Sequence, residues 1–347
     1  MQKIQVTSRI HNYEVIIGQD ILSHLQQLPY SQFTVITDSN VAKHHLSKLE
    51  VNFDAIIIEP GENSKSFATL ERILNKFCEL KLKRNSCVIA LGGGMITDLA
   101  GFAASIYMRG IKYINIPTSL LGQIDASIGG KTAINNNYGK NLIGSFYPPI
   151  LTLCDIDLLS TLPQRELVSG YSELIKYGLI NNQELYSYCE NNLGKILQQG
   201  DVLLPAVEMA VGCKLKVVTA DETEQGQRAL LNFGHSFGHA IEKYYNYELL
   251  HGEAVAIGMV LAFKFSTALG LCSNGDAQKI EKHIAKAGLP TKLSKVDLNK
   301  FINFMRADKK LENDKFTLIL TRGIGKAFIA KDIEYLALYN FLLDNLQ

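Results

Sequence analysis

Three imidazoles, His235, His239 and His251, fall within seventeen residues of a chain that has eight histidines in all. His235 and His239 are four apart, so a helix stacks them on one face, and His251 opens a second apolar, small-residue stretch. Histidine is the commonest metal ligand and the side chain that most readily moves protons near neutral pH, so the cluster points to metal-assisted enzyme chemistry. Three imidazoles, or two imidazoles and a carboxylate, each satisfy zinc with one position left open; spacing alone does not choose between them. No glutamate directly follows the first histidine, which separates the pair from the His-Glu-x-x-His pattern. Glu173 and Lys176, in Ser-Glu-Leu-Ile-Lys-Tyr-Gly, are three apart and share a helix face. A surface ion pair is the usual origin of that spacing, although the apolar neighbours Leu174, Ile175, Tyr177, Leu179 and Ile180 allow a buried face instead.

Other stretches suit anionic ligands. The β-rich run 86–91 leads into Gly92-Gly93-Gly94 and then a helical stretch. Glycines there let backbone approach a ligand, and the free N–H groups of a helix start attract phosphate. The turn is not the Gly-x-Gly-x-x-Gly fingerprint, and a plain tight turn explains it equally well. Two further strand ends, Thr37-Asp38-Ser39-Asn40 and Pro60-Gly61-Glu62-Asn63-Ser64-Lys65, favour a ligand, because ligands of open α/β sheets gather at the carboxyl ends of strands. Ser127-Ile-Gly-Gly-Lys131-Thr132 lacks the full P-loop pattern, which leaves Lys131 as a phosphate ligand without a nucleoside-triphosphatase. Lys214 and Arg228 flank the acidic run 221–224, where spacing does not distinguish a site from a solvated loop.

These residues need elements to hold them. In the first 120 residues β-rich runs (33–37, 54–58, 86–91, 112–116) alternate with helical stretches (65–80, 95–107), and 3–17 suits a hairpin. Such alternation means a mainly parallel, Rossmann-like sheet with crossover helices. After Pro148-Pro149 the periodicity turns helical over 165–180, 201–218, 231–246, 252–270, 275–287 and 333–345, with one β-like pair at 316–321 and 326–330. The expectation is an α/β domain over 1–150 followed by a mostly α-helical domain over 151–347. The polar segment 118–149 reads as a site wall at their junction, since ligands favour such places.

Composition excludes several classes. With 35 basic and 34 acidic residues, no net field favours nucleic acid or an anionic membrane. Six scattered cysteines without a Cys-x-x-Cys pair suit a reducing cytoplasm rather than a disulfide frame. The N-terminus lacks a signal core, and the apolar stretch 255–271 is interrupted by Lys264 and reads as a buried helix.

Taken together, Gly92-Gly-Gly-Met-Ile-Thr-Asp, Pro117-Thr-Ser-Leu-Leu-Gly-Gln-Ile-Asp-Ala-Ser-Ile-Gly-Gly-Lys-Thr, Gly139-Lys-Asn-Leu-Ile-Gly, Glu173-Leu-Ile-Lys-Tyr-Gly, Asn232-Phe-Gly-His-Ser-Phe-Gly-His-Ala-Ile-Glu and His251-Gly-Glu-Ala-Val-Ala resemble the 3-dehydroquinate synthase family, in order from about residue 33 to Lys310. The resemblance implies conversion of 3-deoxy-D-arabino-heptulosonate 7-phosphate (DAHP) to 3-dehydroquinate and phosphate, a step of the shikimate route to aromatic amino acids. Bound NAD would oxidise and later re-reduce one carbinol, and a metal, zinc or cobalt, would act as Lewis acid. The implied metal ligands are Glu173, His235 and His251; the catalytic set is His239, Glu224, Lys176 and Asp125. Substrate would be held by Lys131, Asn141, Lys214, Arg228, Asn232 and one of Lys309 and Lys310, with Arg109 reaching a neighbouring subunit's site, hence a homodimer. NAD would contact Asp38, Ser39, Asn40, Glu62, Lys65, Gly92, Gly93, Gly94, Asp98, Thr118, Ser119 and Lys140. Thr97 stands where many members carry glycine, and its hydroxyl is expected to serve the helix N-terminus. Lys214 with Arg228 argues against a cyclase whose substrate lacks a carboxylate, and a metal-dependent NAD dehydrogenase would differ by accumulating NADH.

Overall fold

A computed structural model describes residues 1–346 apart from 225, 295 and 309–314, together with the backbone but not the side chains of 307 and 308. Its contacts divide the chain into two compact units, Met1–Pro163 with Leu203–Glu222, and Gln164–Val202 with Thr223–Gln347.

The first unit is built on strands β1 (Gln2–Val6), β2 (Tyr13–Gly18), β3 (Phe33–Asp38), β4 (Phe53–Ile58), β5 (Cys87–Gly92), β6 (Lys112–Pro117), β7 (Lys131–Asn136), β8 (Gly139–Phe146) and β9 (Leu151–Asp155). Seven of them form one sheet in the order β1-β2-β9-β6-β5-β3-β4, parallel except for the β1–β2 pair; β7 and β8 form a separate antiparallel hairpin. Every residue of β3 and β5 is buried; β5 therefore reads as a continuous apolar run, while β3 buries Thr34 and Thr37 among its apolar residues. Helices α1 (Ser39–His45), α2 (Phe67–Glu79) and α3 (Gly94–Ile106) follow β3, β4 and β5. On one face Ile36, Val88 and Ala90 pack with Leu99, Ala100 and Ala103 of α3; on the other, Val35, Ile89, Leu91 and Ile116 pack with Leu25 and Leu158. Each of the Val, Leu and Ile side chains contributes about 1.5–3 kcal/mol on burial, and each Ala less.

In chain order the remaining helices are α4 (Gln164–Asn181), α5 (Gln183–Leu197), α6 (Leu203–Ala220), α7 (His235–Tyr244), α8 (His251–Ala268), α9 (Asn274–Lys286), α10 (Leu298–Asp308) and α11 (Tyr335–Leu346). The antiparallel pair β10 (Lys315–Thr321) and β11 (Ala327–Glu334) precedes α11. All but α6 belong to the second unit. Helix α8 is buried round most of its circumference, from Ala254 to Phe263, as a helix apolar on every side must be; Lys264 reaches out to Glu281 at 2.9 Å. Among the described residues no helix is long and apolar enough to cross a membrane.

Several features depart from expectation. Strand β9 and helix α6 lie beyond the boundary expected near 150, yet both belong to the first unit. The segment 118–149, expected as a polar wall, contains a π-helical turn (Gly122–Ala126) and the β7–β8 hairpin. Helices α1, α5 and α10 are additional. The stretch 231–246 is not one helix: Gly234 sits at φ +80 and divides a 3-10 turn, Gln227–Asn232, from α7, a backbone state glycine adopts without steric cost.

Candidate functional site

Within the second unit α4 carries Glu173 and Lys176 inward, and both are buried. The pair is therefore a buried i,i+3 ion pair, with Lys176 Nζ against Glu173 Oε2, rather than a surface one. Gly234 lets α7 start with His235 against α8: a Cβ on Gly258 would lie 2.0 Å from the Gly234 carbonyl oxygen. The first turn of α8, which opens with His251, is fixed from two sides. Glu253 accepts the Leu250 N–H at 2.8 Å and takes a bidentate contact from Arg165, with both distances 2.7 Å. Gly252 donates its N–H to Ser169 Oγ of α4 at 3.1 Å.

This packing brings His235 Nε2 to 3.7 Å and His251 Nε2 to 3.6 Å from Glu173 Oε1. One donor atom from each of Glu173, His235 and His251 lies within 4.8 Å of the others. His235 Nδ1 faces the Phe233 carbonyl at 3.2 Å, and His251 Nδ1 faces Glu242 Oε1 at 3.5 Å. Burial, reinforced by the Lys176 ammonium, holds the His235 pKa well below its ordinary value, so the ring is a neutral donor. Burial opposes protonation of His251 too, but the Glu242 and Glu173 carboxylates outweigh it and raise its pKa. Both Glu173 oxygens are buried without a geometrically proper hydrogen bond. A desolvated carboxylate facing two imidazole nitrogens suits a bound cation. His239 is half-buried with its ring centroid 5.4 Å from His235 and 6.4 Å from His251, beside the triad rather than in it.

Elsewhere in this unit Arg228 is buried on the 3-10 turn. Asn232 donates to Glu224 Oε1 at 2.8 Å, and Glu224 holds a left-handed backbone at φ +60. Strain of that kind is retained where surrounding structure over-determines it, often at ligand sites. Lys309 and Lys310 lie outside the described residues.

In the first unit the expected nucleotide residues collect at the carboxyl ends of β3, β4, β5 and β6. After β3 the chain continues to the sheet edge, whereas after β5 it continues inward to β6. Their loops diverge, and open α/β sheets bind ligands at such a reversal. Asp38 caps α1 by accepting from the N–H groups of Asn40 at 2.9 Å and Val41 at 3.0 Å, with Ser39 and Asn40 exposed. Gly93 caps α3 with no side-chain bond of its own, leaving first-turn N–H groups available to an anion. A Cβ on Gly92 would meet Ile96 at 2.6 Å, so the turn's tightness demands glycine there. The Thr97 hydroxyl donates back to the Gly94 carbonyl at 3.1 Å, so it does not cap the helix start as expected. Lys65 is buried and reaches Asp98 Oδ2 at 2.5 Å and Asn141 Oδ1. Burial raises the Asp98 pKa and Lys65 works against that rise. Glu62 accepts from Asn135 at 2.7 Å. Thr118 donates its N–H to the Gly92 carbonyl at 3.0 Å, and Ser119 Oγ accepts from Gly122 at 3.1 Å.

Asp125, on the π-helical turn, pairs with Lys214 of α6. Lys131 opens β7 with an exposed side chain, Lys140 lies on β8, and Asn141 has φ +58. Arg109 is exposed in three successive left-handed residues, Met108, Arg109 and Gly110. The sequence reading passed over Glu242, Ser169 and Asn135. Glu242 alone had a signal, seven residues after His235 on the same helix face.

Two family models match this chain, 3-dehydroquinate synthase N-terminal over residues 55–169 and 3-dehydroquinate synthase C-terminal over residues 170–311. The chain is 44% identical over 355 residues to the 3-dehydroquinate synthase of Bartonella bacilliformis, covering 95% of this chain and 94% of that one. Among solved structures it is similar to 2-epi-5-epi-valiolone synthase from Streptomyces hygroscopicus subsp. jinggangensis with NAD+ and Zn2+ bound, at TM-score 0.90 and 28% identity over 98% of each chain. It is also similar to 2-deoxy-scyllo-inosose synthase complexed with carbaglucose-6-phosphate, NAD+ and Co2+, at TM-score 0.89 and 25% identity over 99% of this chain and 100% of that one.

Proposed function

The chain belongs to the 3-dehydroquinate synthase family, and we propose on that premise that it converts DAHP to 3-dehydroquinate and phosphate as a carbon–oxygen lyase. It would use NAD and one divalent ion, zinc or cobalt, per subunit. The observation that carries the metal assignment is the buried Glu173 carboxylate without proper hydrogen bonds, facing His235 and His251. Two imidazoles and a carboxylate are a catalytic donor set that leaves one position for substrate. The NAD+ and metal ions in the two solved cyclases support the same pairing. When bound, NAD supplies reversible oxidation of one substrate carbinol, and the metal polarises substrate oxygens.

The chain's own residues do the rest. Lys176 lies against Glu173 and offers N–H donors to a substrate oxygen. His239, set beside the triad, moves a proton at the departing phosphate ester, with Lys131, Asn141 and Asn232 holding the phosphate oxygens. Glu224, bonded to Asn232, relays protons. Arg228 and Lys214 are assigned to the substrate carboxylate as charge-assisted donors, Asp125 orients Lys214, and Lys309 or Lys310 adds a further cation. NAD is assigned to the N-terminal region, 1–150, through Asp38, Ser39, Asn40, Glu62, Lys65, Gly92–Gly94, Asp98, Thr118, Ser119 and Lys140; metal and substrate are assigned mainly to 151–347. Arg109 serves the neighbouring subunit of a cytoplasmic homodimer.

The test supplies DAHP with substoichiometric NAD and zinc or cobalt, and follows phosphate, dehydroquinate and absorbance of NADH. Phosphate release with dehydroquinate formation and no net NADH is expected. Absence of phosphate release after metal reconstitution refutes the assignment, and stoichiometric NADH would mark a dehydrogenase instead.

A further inference from the structure

We propose that Glu242 is a positioning residue that fixes the ring and tautomer of His251, and thereby selects Nε2 as its ligand atom. Glu242 lies on α7 two turns after His235 and is 4% exposed. Its Oε1 stands 3.5 Å from His251 Nδ1, while His251 Nε2, across the ring, stands 3.6 Å from Glu173 Oε1. A carboxylate at Nδ1 holds the proton there and turns the Nε2 lone pair toward Glu173 and His235. His235 is set the same way, with Nδ1 on the Phe233 carbonyl at 3.2 Å and Nε2 toward Glu173. The two rings differ in what orients them. For His235 it is backbone, which no substitution removes; for His251 it is a carboxylate carried by the helix that also carries His235. Helix α7 therefore supplies one metal ligand directly and aims a second one on α8. Carboxylates behind metal-bound imidazoles raise ligand basicity and hold ring orientation, and their loss weakens metal binding by about 10–100-fold.

The inference rests on the metal assignment above, so its test separates the two. Zinc affinity of the metal-free full chain is measured by competition with a chromophoric chelator for the parent, Glu242→Gln, Glu242→Ala and His251→Ala, with circular dichroism to verify folding. The visible spectrum of the cobalt-loaded forms reports coordination geometry. Glu242→Ala is expected to bind zinc at least about tenfold more weakly and to alter the cobalt bands. Glu242→Gln keeps an acceptor without the charge and should fall between Ala and the parent, by about threefold or more, and it decides the matter if the alanine form does not fold. Zinc affinity within twofold of the parent in Glu242→Gln, with His251→Ala strongly impaired, overturns the role of Glu242 alone. Unimpaired binding in His251→Ala overturns the metal assignment itself.

Discussion

Gly252→Ala isolates how the metal triad is assembled. A Cβ at this position would lie 1.9 Å from the Ser169 carbonyl oxygen and 2.6 Å from both Ser169 C and Ser172 Oγ, where ordinary contact begins at 3.4 Å. The first turn of α8 must then withdraw from α4 by roughly 1.5 Å, carrying His251 away from Glu173. Metal–ligand distances tolerate only about 0.2 Å, so zinc affinity should fall on the order of tenfold or more. The stability effect sets two terms against each other. Overpacking against backbone costs about 1–3 kcal/mol, while alanine in a helix gains at most about 1 kcal/mol over glycine. Net destabilisation of about 0–2 kcal/mol is expected, read from urea midpoints of the metal-free protein. Gly194→Ala is the internal control: it lies in the last turn of α5 with nothing within 4 Å. It should gain about 0.5–1 kcal/mol and leave zinc binding unchanged. If Gly252→Ala behaves like Gly194→Ala in both measurements, close approach of α8 to α4 does not position His251.

His251→Ala should lose zinc as judged by metal content after dialysis, whereas His239→Ala should keep it and lose turnover; the reverse pattern would exchange their roles. The second unit should weaken in acid through His283, which lies buried between the Tyr171 and Tyr186 hydroxyls at 2.8 and 3.1 Å. Burial, modulated by Glu190, Lys279 and Lys286, lowers its pKa from 6.5 to about 4. The unfolded chain binds that proton first, so the stabilisation is complete above pH 6.5 and lost as pH falls toward 4, by up to about 3 kcal/mol. Urea titrations at pH 7 and 4.5 should show the loss, and His283→Gln should flatten it. Lys65→Met leaves the half-buried Asp98 without its cation, which should cost about 1–3 kcal/mol and abolish nucleotide binding in an NADH fluorescence titration; parent-like affinity would remove Lys65 from the nucleotide site.

The parallel sheet was legible because β5, buried on both faces, is a continuous apolar run, and β3 is β-branched from Thr34 to Thr37. The β7–β8 hairpin was not, since half the residues of β8 are exposed and none is buried, and its Gly, Ser and Asn content reads as loop. Helix α5 buries Leu185, Tyr186, Cys189, Leu193 and Ile196 at helical spacing, but the polar residues between them mask the stripe. At the candidate metal centre, local spacing identified the histidines and left their partners open. Glu173 is sixty-two positions before His235, and no periodicity spans that gap; only matching to a family joined them before coordinates did. Glu242 shares a helix face with His235, but that spacing alone does not distinguish an aimed carboxylate from a solvated one.

The excursion of α6 bears on how this protein is made. The chain leaves the first unit after Pro163, returns for Leu203–Glu222, and leaves again. On the ribosome, the first unit therefore remains unfinished until residue 222 emerges, while α4 and α5 already wait for α7 and α8. At about 5–20 residues per second, Glu173 spends several seconds in the growing chain before His235 exists. During that interval α4 can pack on α5 but not yet on α8, so Glu173 and Lys176 stay open to water until α7 and α8 emerge to bury them.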